Sequence, residues 1–273
     1  MKNTFKLLAI SAAIGFSGSV WADAQEEVNK QIAKLIGDAV STRVSSTTAP
    51  APGAQLPNNA WGSYSRLTVD PEGSSSIGTD ILVGGYDRDL SKDWVAGVAL
   101  SYNRSNKFSA DGWSLSPYVA YRFNEAIFGV VRAGYSEFDA RGVNGDSMSV
   151  AGSVNGIHRF GNAYGQWRAE IGFSDTDMRA TGGTNTQSTA TSYIGDGELG
   201  YYFADGFKGF AGLQLSDTNR QNSYNAFVRF GLEKDLSKTA AISAKYERKV
   251  DDNSPSNGGY DIDVFTIAAR FRF

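Results

Sequence analysis

The chain has 273 residues, a formal net charge of −3 and no cysteine. The charge is too small to single out nucleic acid or any strongly charged partner, and without cysteine there is no lipoprotein anchor, disulfide or thiolate metal site. Glycine (31), phenylalanine (16) and tyrosine (13) are plentiful and proline (6) is scarce, a mixture that suits strands whose apolar residues are diluted by alternation.

Lys2 and Lys6 precede an apolar stretch, Leu7 to Val20, that is too short and too rich in small residues for a stable membrane span. Val20-Trp21-Ala22 carries small residues at the positions before a cleavage point, and Ala22-Asp23-Ala24 is a second candidate. Residues 1–22 therefore read as a cleaved export signal, and a cysteine-free exported chain suits the bacterial envelope. Overall hydropathy is negative, and no apolar run reaches the roughly 20 residues of a transmembrane helix.

Residues 23–44 read as a helix. Asp23 is placed to cap it, with Glu26 completing a capping box. Val28, Ile32, Leu35, Ile36 and Ala39 then recur at helical spacing as one apolar stripe. Residues 45–57, with Pro50, Pro52 and Pro57 among Ser, Thr and Ala, read as an extended linker.

From residue 58 to Phe273 the pattern is strands. Ala60–Val69 and Ile77–Leu90 open it less regularly than the rest. Trp94–Asn103, Trp113–Phe123, Ile127–Phe138, Met148–Phe160, Tyr164–Asp175 and Thr191–Phe203 follow. Lys208–Asp217, Ser223–Leu236, Ala241–Val250 and Asp261–Phe273 complete twelve, an even number. Short connections such as Ser91-Lys92-Asp93 and Asn124-Glu125-Ala126 alternate with longer polar ones, including Arg179–Ala190 and Asp251–Tyr260. Short turns on one side and long loops on the other define an antiparallel up-and-down barrel with the short side periplasmic.

Alternate residues support a transmembrane barrel. One face carries Trp94, Ala96, Val98, Leu100 and Tyr102, then Trp113, Leu115, Pro117, Val119, Tyr121 and Phe123, without a charge. An Arg or Lys on a lipid-facing midplane costs about 2–4 kcal/mol, which accounts for the exclusion. The opposite faces collect Arg132, Arg168, Glu170, Asp196, Glu198, Arg229, Glu233, Lys245, Glu247, Arg270 and Arg272. A lumen lined this way holds water, a charge network or a plug. Ile81-Leu82-Val83 is apolar on both parities, which leaves the facing of the second strand open.

The last strand has Phe265, Ile267, Ala269, Phe271 and Phe273 on one face. A terminal phenylalanine on such a strand resembles the signature by which outer-membrane barrels are recognised for assembly.

Together these residues resemble the translocator domain of autotransporters. Asn59-Ala60-Trp61-Gly62-Ser63-Tyr64 is similar to that domain's first strand. Gly84-Gly85-Tyr86-Asp87 with Leu90-Ser91-Lys92-Asp93-Trp94-Val95-Ala96-Gly97 is similar to its second strand, turn and third strand. Glu27-Val28-Asn29-Lys30, with Leu35 and Gly37-Asp38, resembles the helix that threads its pore. The resemblance implies a twelve-stranded barrel in the outer membrane, inserted by the barrel-assembly machinery. The departure is the passenger: only about 22 residues stand between the signal and the linker.

Catalytic and metal motifs are weak. Gly195-Asp196-Gly197-Glu198-Leu199-Gly200 matches G-x-G-x-x-G but lies within a strand, whereas a phosphate loop opens a helix. His158, the one histidine, falls near a short turn on the outward parity. Asp251, Asp252, Asn253, Asp261 and Asp263, like Asp175 and Asp177, read as solvated loop acids before calcium ligands. No enzyme activity, cofactor, metal or nucleic-acid partner is expected; lipid and assembly machinery are, for a monomer. The alternative is a diffusion channel for small solutes, and behind it an outer-membrane enzyme. A helix roughly 31 Å long matches the bilayer core and would block such a channel. Its apolar stripe argues instead for a place outside a polar lumen, and both placements stay open.

Overall fold

The computed structural model describes residues 28–40, 42, 58–71, 76–106, 110–140, 143–180, 185–203, 206–219, 225–250 and 260–273. The export signal, the Asp23–Glu26 capping pair, the linker and Asp251–Asn253 lie outside these residues. A helix, α1 (28–40), precedes β1 (Asn58–Pro71), β2 (Ile77–Asp89), β3 (Trp94–Ser105) and β4 (Ala110–Arg122). Next come β5 (Ile127–Ala140), β6 (Val143–Phe160), β7 (Ala163–Ala180) and β8 (Thr186–Tyr202). The last are β9 (Phe207–Thr218), β10 (Asn225–Asp235), β11 (Ala240–Lys249) and β12 (Tyr260–Arg272).

Each strand pairs with its chain neighbours, and β1 pairs antiparallel with β12, so the sheet closes without an edge. The seam runs from Asn59↔Arg272 to Pro71↔Tyr260. Beyond it Asn58 N donates to Phe273 O at 2.8 Å, and Phe273 N returns a bond to Asn58 O at 3.1 Å.

Short side chains build the tight turns on one rim. Ser91 Oγ accepts from the backbone N–H groups of Asp93 and Trp94 at 3.2 and 3.1 Å. Asn124 Oδ1 accepts from those of Ala126 and Ile127 at 2.8 Å. These side chains take over bonds that the reversing backbone cannot make to itself. Gly161, at φ 63°, supplies the left-handed residue of the β6–β7 turn.

The strands are unequal. β6 and β7 have 18 residues and β8 has 17, against 11 and 10 for β10 and β11. About 9–11 residues cross a membrane, so β6–β8 project beyond the long-loop rim as a wall. The expected Arg179–Ala190 loop is correspondingly shorter: β7 continues to Ala180 and β8 resumes at Thr186. Those strand ends are polar and lie past the lipid, so they lack the apolar alternation that marks the rest.

The outward stripes form an apolar belt between two aromatic girdles. Trp94 and Tyr121 meet at 4.7 Å between ring centroids near the short turns, and Trp113 and Tyr135 at 5.7 Å near the long loops. Val98 and Leu100 lie between the girdles and face outward. β2 resolves the ambiguous segment: Leu82 is 57% exposed, whereas Ile81 and Val83 are 0% and 1% exposed and point into the lumen. The inner wall is apolar there, which a uniformly polar lumen did not anticipate.

The lumen and its helix as candidate functional site

The inner wall has two characters. Leu67, Ile81, Val83, Val95, Val130, Ile262 and Val264, from β1–β3, β5 and β12, form one apolar cluster with Val28, Ile32, Leu35, Ile36 and Val40 of α1. The helix therefore lies inside the barrel with its apolar stripe on a wall that matches it. The stripe that argued for a place outside is the reason it fits.

The other face of α1 meets the charged wall of β7–β11. Lys34 pairs with Glu247, at side-chain exposures of 3% and 2%. Asp38 accepts from Lys245 Nζ at 2.8 Å and lies 3.5 Å from Arg168 Nη1. Gly37 permits this approach: the guanidinium of Arg168 occupies the space where a Cβ at Gly37 would stand.

From these contacts the wall network spreads. Arg168 lies 3.7 Å from Asp196, which pairs with both guanidinium ends of Arg229. Arg229 Nε also reaches Glu198 at 3.3 Å. Glu198 accepts from Tyr164 at 2.6 Å and from Gln166 at 2.9 Å. Lys245 bridges to Glu247 at 2.9 Å. Arg132 grips Glu170 bidentately at 2.8 and 2.6 Å, one layer nearer the long loops. Towards the short turns Glu233 meets Lys208 at 3.4 Å and Arg270 at 3.9 Å. Arg272 lies at the short-turn rim, in register with Asn59. Phe265, Ile267, Phe271 and Phe273 are exposed on the outer belt, with Ala269 half-buried among them.

The reading from parity alone omitted Asp38, Tyr164, Gln166 and Lys208. Lys208 and Tyr164 carried a signal, since both fall on the inward parity of their strands. Asp38 entered only through the resemblance of Gly37-Asp38 to a pore-threading helix, because helical spacing does not say which wall a helix will face. A second polar cluster was missed on β1–β4, where Asp87 accepts from Asn59 and Tyr118, each at 3.0 Å. In the glycine-rich segment of β8 the Tyr164 ring lies over Gly200, where a Cβ would collide with it, whereas Gly195 and Gly197 have open space where a Cβ would stand. His158 is exposed on the outer face near the short turns. Asp175 accepts from Gln187 at 2.9 Å, and Asp261 and Asp263 lie 3.5 and 4.0 Å from Arg248.

α1 has a direction in the lumen. Asn29 and Lys30 share a 150 Å³ cavity with Ser136, Ser147 and Thr176, in the long-loop half. Ala39 and Thr42 share a 370 Å³ cavity with Arg159, Tyr202 and Asp235, in the short-turn half. The helix thus runs from the long-loop side to the short-turn side.

A closed twelve-stranded barrel, apolar outside and threaded by an amphipathic helix, defines a transmembrane β-barrel with an occupied lumen. No protein-family model matches the chain, and no curated protein matches it significantly in sequence. Among solved structures it is similar to the β domain of the Bordetella autotransporter BrkA, with a TM-score of 0.61 and 17% identity over 78% of this chain and 98% of that one. It is similar to the translocator domain of autotransporter NalP from Neisseria meningitidis, with a TM-score of 0.60 and 11% identity over 90% and 98%. A Pseudomonas aeruginosa FadL homologue also matches, with a TM-score of 0.50 and 9% identity over 80% and 90%. The autotransporter resemblance holds at the level of fold, and the fold alone does not choose an activity.

Proposed function

We propose that the chain is a bacterial outer-membrane barrel of the translocator type that holds its own α1 as a plug and directs the segment before Val28 to the outer side. It acts without catalysis, cofactor or metal, as a monomer in lipid, inserted by the barrel-assembly machinery. The observation that carries this reading is the two-sided fit of α1: an apolar stripe on an apolar wall, and Lys34 and Asp38 on the charges of β7 and β11. Contacts on both faces of a helix belong to a resident segment. With the short turns periplasmic, the direction of α1 points its N-terminal end outward.

A diffusion channel for small solutes is the second reading. The cavities of 370 and 150 Å³ beside α1 favour it, but they lie toward opposite ends of the helix, so passage requires α1 to leave.

Cysteine labelling tests the proposal on a chain that has no cysteine of its own. In intact cells a membrane-impermeant maleimide is expected to reach Asn29→Cys and to spare Thr42→Cys. The reverse pattern would overturn the direction of the helix. A large steady conductance of the full chain in planar bilayers would select the diffusion channel.

A further inference from the structure

Pro117 stands in the middle of β4, in register with Val98 of β3, which lies between the two girdles. Proline has no N–H, and within sheets it is ordinarily confined to edges and bulges. The β3–β4 register runs unbroken through Pro117, but the β4–β5 register does not. It passes from Leu115↔Tyr135 directly to Tyr118↔Arg132, omitting Ser116 and Pro117 against Gly134 and Ala133. Both omitted pairs depend on a single antiparallel ladder bond, from the N–H of residue 117 to the carbonyl of Ala133. With proline at 117 that carbonyl faces β4 without its backbone donor, at mid-membrane depth.

Hydrocarbon supplies no donor, so the bond has to come from the inner side of the wall. The inward neighbours of the missing bond are Ser116 on β4 and Gly134 on β5, and Gly134 is in register with Ser149 on β6. A Cβ on Gly134 would stand 2.6 Å from Ser149 Oγ and 3.4 Å from Ser116 Oγ. Two hydroxyls thus converge on the residue that puts no side chain over the gap. Ser116, Ala133, Gly134 and Ser149 all line the 150 Å³ cavity beside α1, which is rich in serine and has room for water. A water over Gly134 has three polar partners, within the two to four that an ordered buried water makes.

We propose that a water molecule is built into the wall at this point, donating to the Ala133 carbonyl and held by the Ser116 and Ser149 hydroxyls. Pro117 removes the backbone donor, Gly134 leaves the place open, and the serines fix the water. A strand pair bridged through water at one rung separates more readily than one bonded throughout, which makes β4–β5 the seam at which the barrel flexes. The site is a property of the wall and does not depend on what the barrel transports.

The test is amide hydrogen exchange, read by NMR on the folded full-length barrel in detergent, with heat-modifiable migration as the check on folding. Pro117→Val restores the ladder donor and is expected to slow exchange of the Ala133 N–H about tenfold, the worth of one hydrogen bond. Gly134→Ala puts a methyl in the water's place. It is expected to lower the urea midpoint in the wild-type background and to cost much less beside Pro117→Val, where the backbone satisfies the carbonyl. Ser149→Ala leaves the water two partners and is expected to keep Ala133 exchange close to wild type. Unchanged Ala133 exchange in Pro117→Val, or an equal cost of Gly134→Ala in both backgrounds, would overturn the proposal. A rise in exchange on Ser149→Ala as large as the fall on Pro117→Val would also overturn it, by making the hydroxyl itself the donor.

Discussion

Lys34 on α1 and Glu247 on β11 form an ion pair enclosed within the barrel, and Glu247 has a second cation, Lys245, at 2.9 Å. The pair is therefore asymmetric. Glu247→Gln strands Lys34 in a buried site, and breaking a buried pair from one side costs about 3–5 kcal/mol. Lys34→Met leaves Glu247 paired with Lys245 and is expected to cost less. In single-channel recordings Glu247→Gln should raise the open probability on the order of a hundred- to a thousandfold, with Lys34→Met between it and wild type. The Lys34→Met/Glu247→Met double variant should return towards the closed state. Equal effects of the two single variants would remove Lys245 from the account.

Gly37 and Arg168 fit together as a missing side chain and the group that fills its place. Alanine for glycine inside a helix ordinarily stabilises by roughly 0.5–1 kcal/mol. Here Gly37→Ala must push a guanidinium that is itself enclosed, away from Asp38. The expectation is that Gly37→Ala loosens α1, seen as faster proteolysis of α1, and that adding Arg168→Ala restores protection by vacating the space. If Gly37→Ala alone slows proteolysis, helix propensity outweighs the contact.

Most of the barrel was legible from alternation because lipid permits so little on its side. The stripes Trp94–Tyr102 and Trp113–Phe123 admit one facing only. Legibility failed where a second apolar surface intervened. Ile81 and Val83 point inward to meet α1, so β2 is apolar on both faces and parity is silent. The same complementarity made the stripe of α1 look out of place in a polar lumen, although the part of the lumen wall that meets the stripe is apolar. The ends of β7 and β8 were missed for the opposite reason: past the membrane both faces meet water and alternation lapses. The inward charges were readable as a set. Their pairing was not, because Arg168 with Asp38 depends on where the helix sits.

The outer belt makes its own prediction. Val98 lies midway between the girdle residues Trp94 and Tyr102 and faces outward. Val98→Arg places a charge near the bilayer midplane, at a cost of about 2–4 kcal/mol. Ser149→Arg introduces the same side chain into the cavity beside α1, where Ser116, Ser147 and Ser174 keep the wall polar. Refolding into lipid vesicles, followed by urea titration, should show a lowered midpoint for Val98→Arg and a near-native one for Ser149→Arg. Equal loss in both would mean that Val98 does not meet lipid.

Phe273 closes the barrel in two ways, and a deletion separates them. Its backbone exchanges a pair of hydrogen bonds with Asn58 at 2.8 and 3.1 Å, at the short-turn end of the β1–β12 seam. Its ring is exposed on the outer belt in the row of Phe265, Ile267 and Phe271. Truncation after Arg272 removes both, whereas Phe273→Gln keeps the backbone pair and removes the ring. Net contributions of about 0.5–1.5 kcal/mol per hydrogen bond make the loss to the finished barrel modest, because the remaining seam register is long. If the terminal ring serves recognition during assembly, both variants should lower the amount of heat-modifiable protein in the outer membrane and leave unfolded chain in the periplasm. Refolding of the two purified variants in detergent should by contrast stay close to wild type. Wild-type membrane yield for Phe273→Gln, with loss only on truncation, would assign the role of Phe273 to the seam and not to its ring.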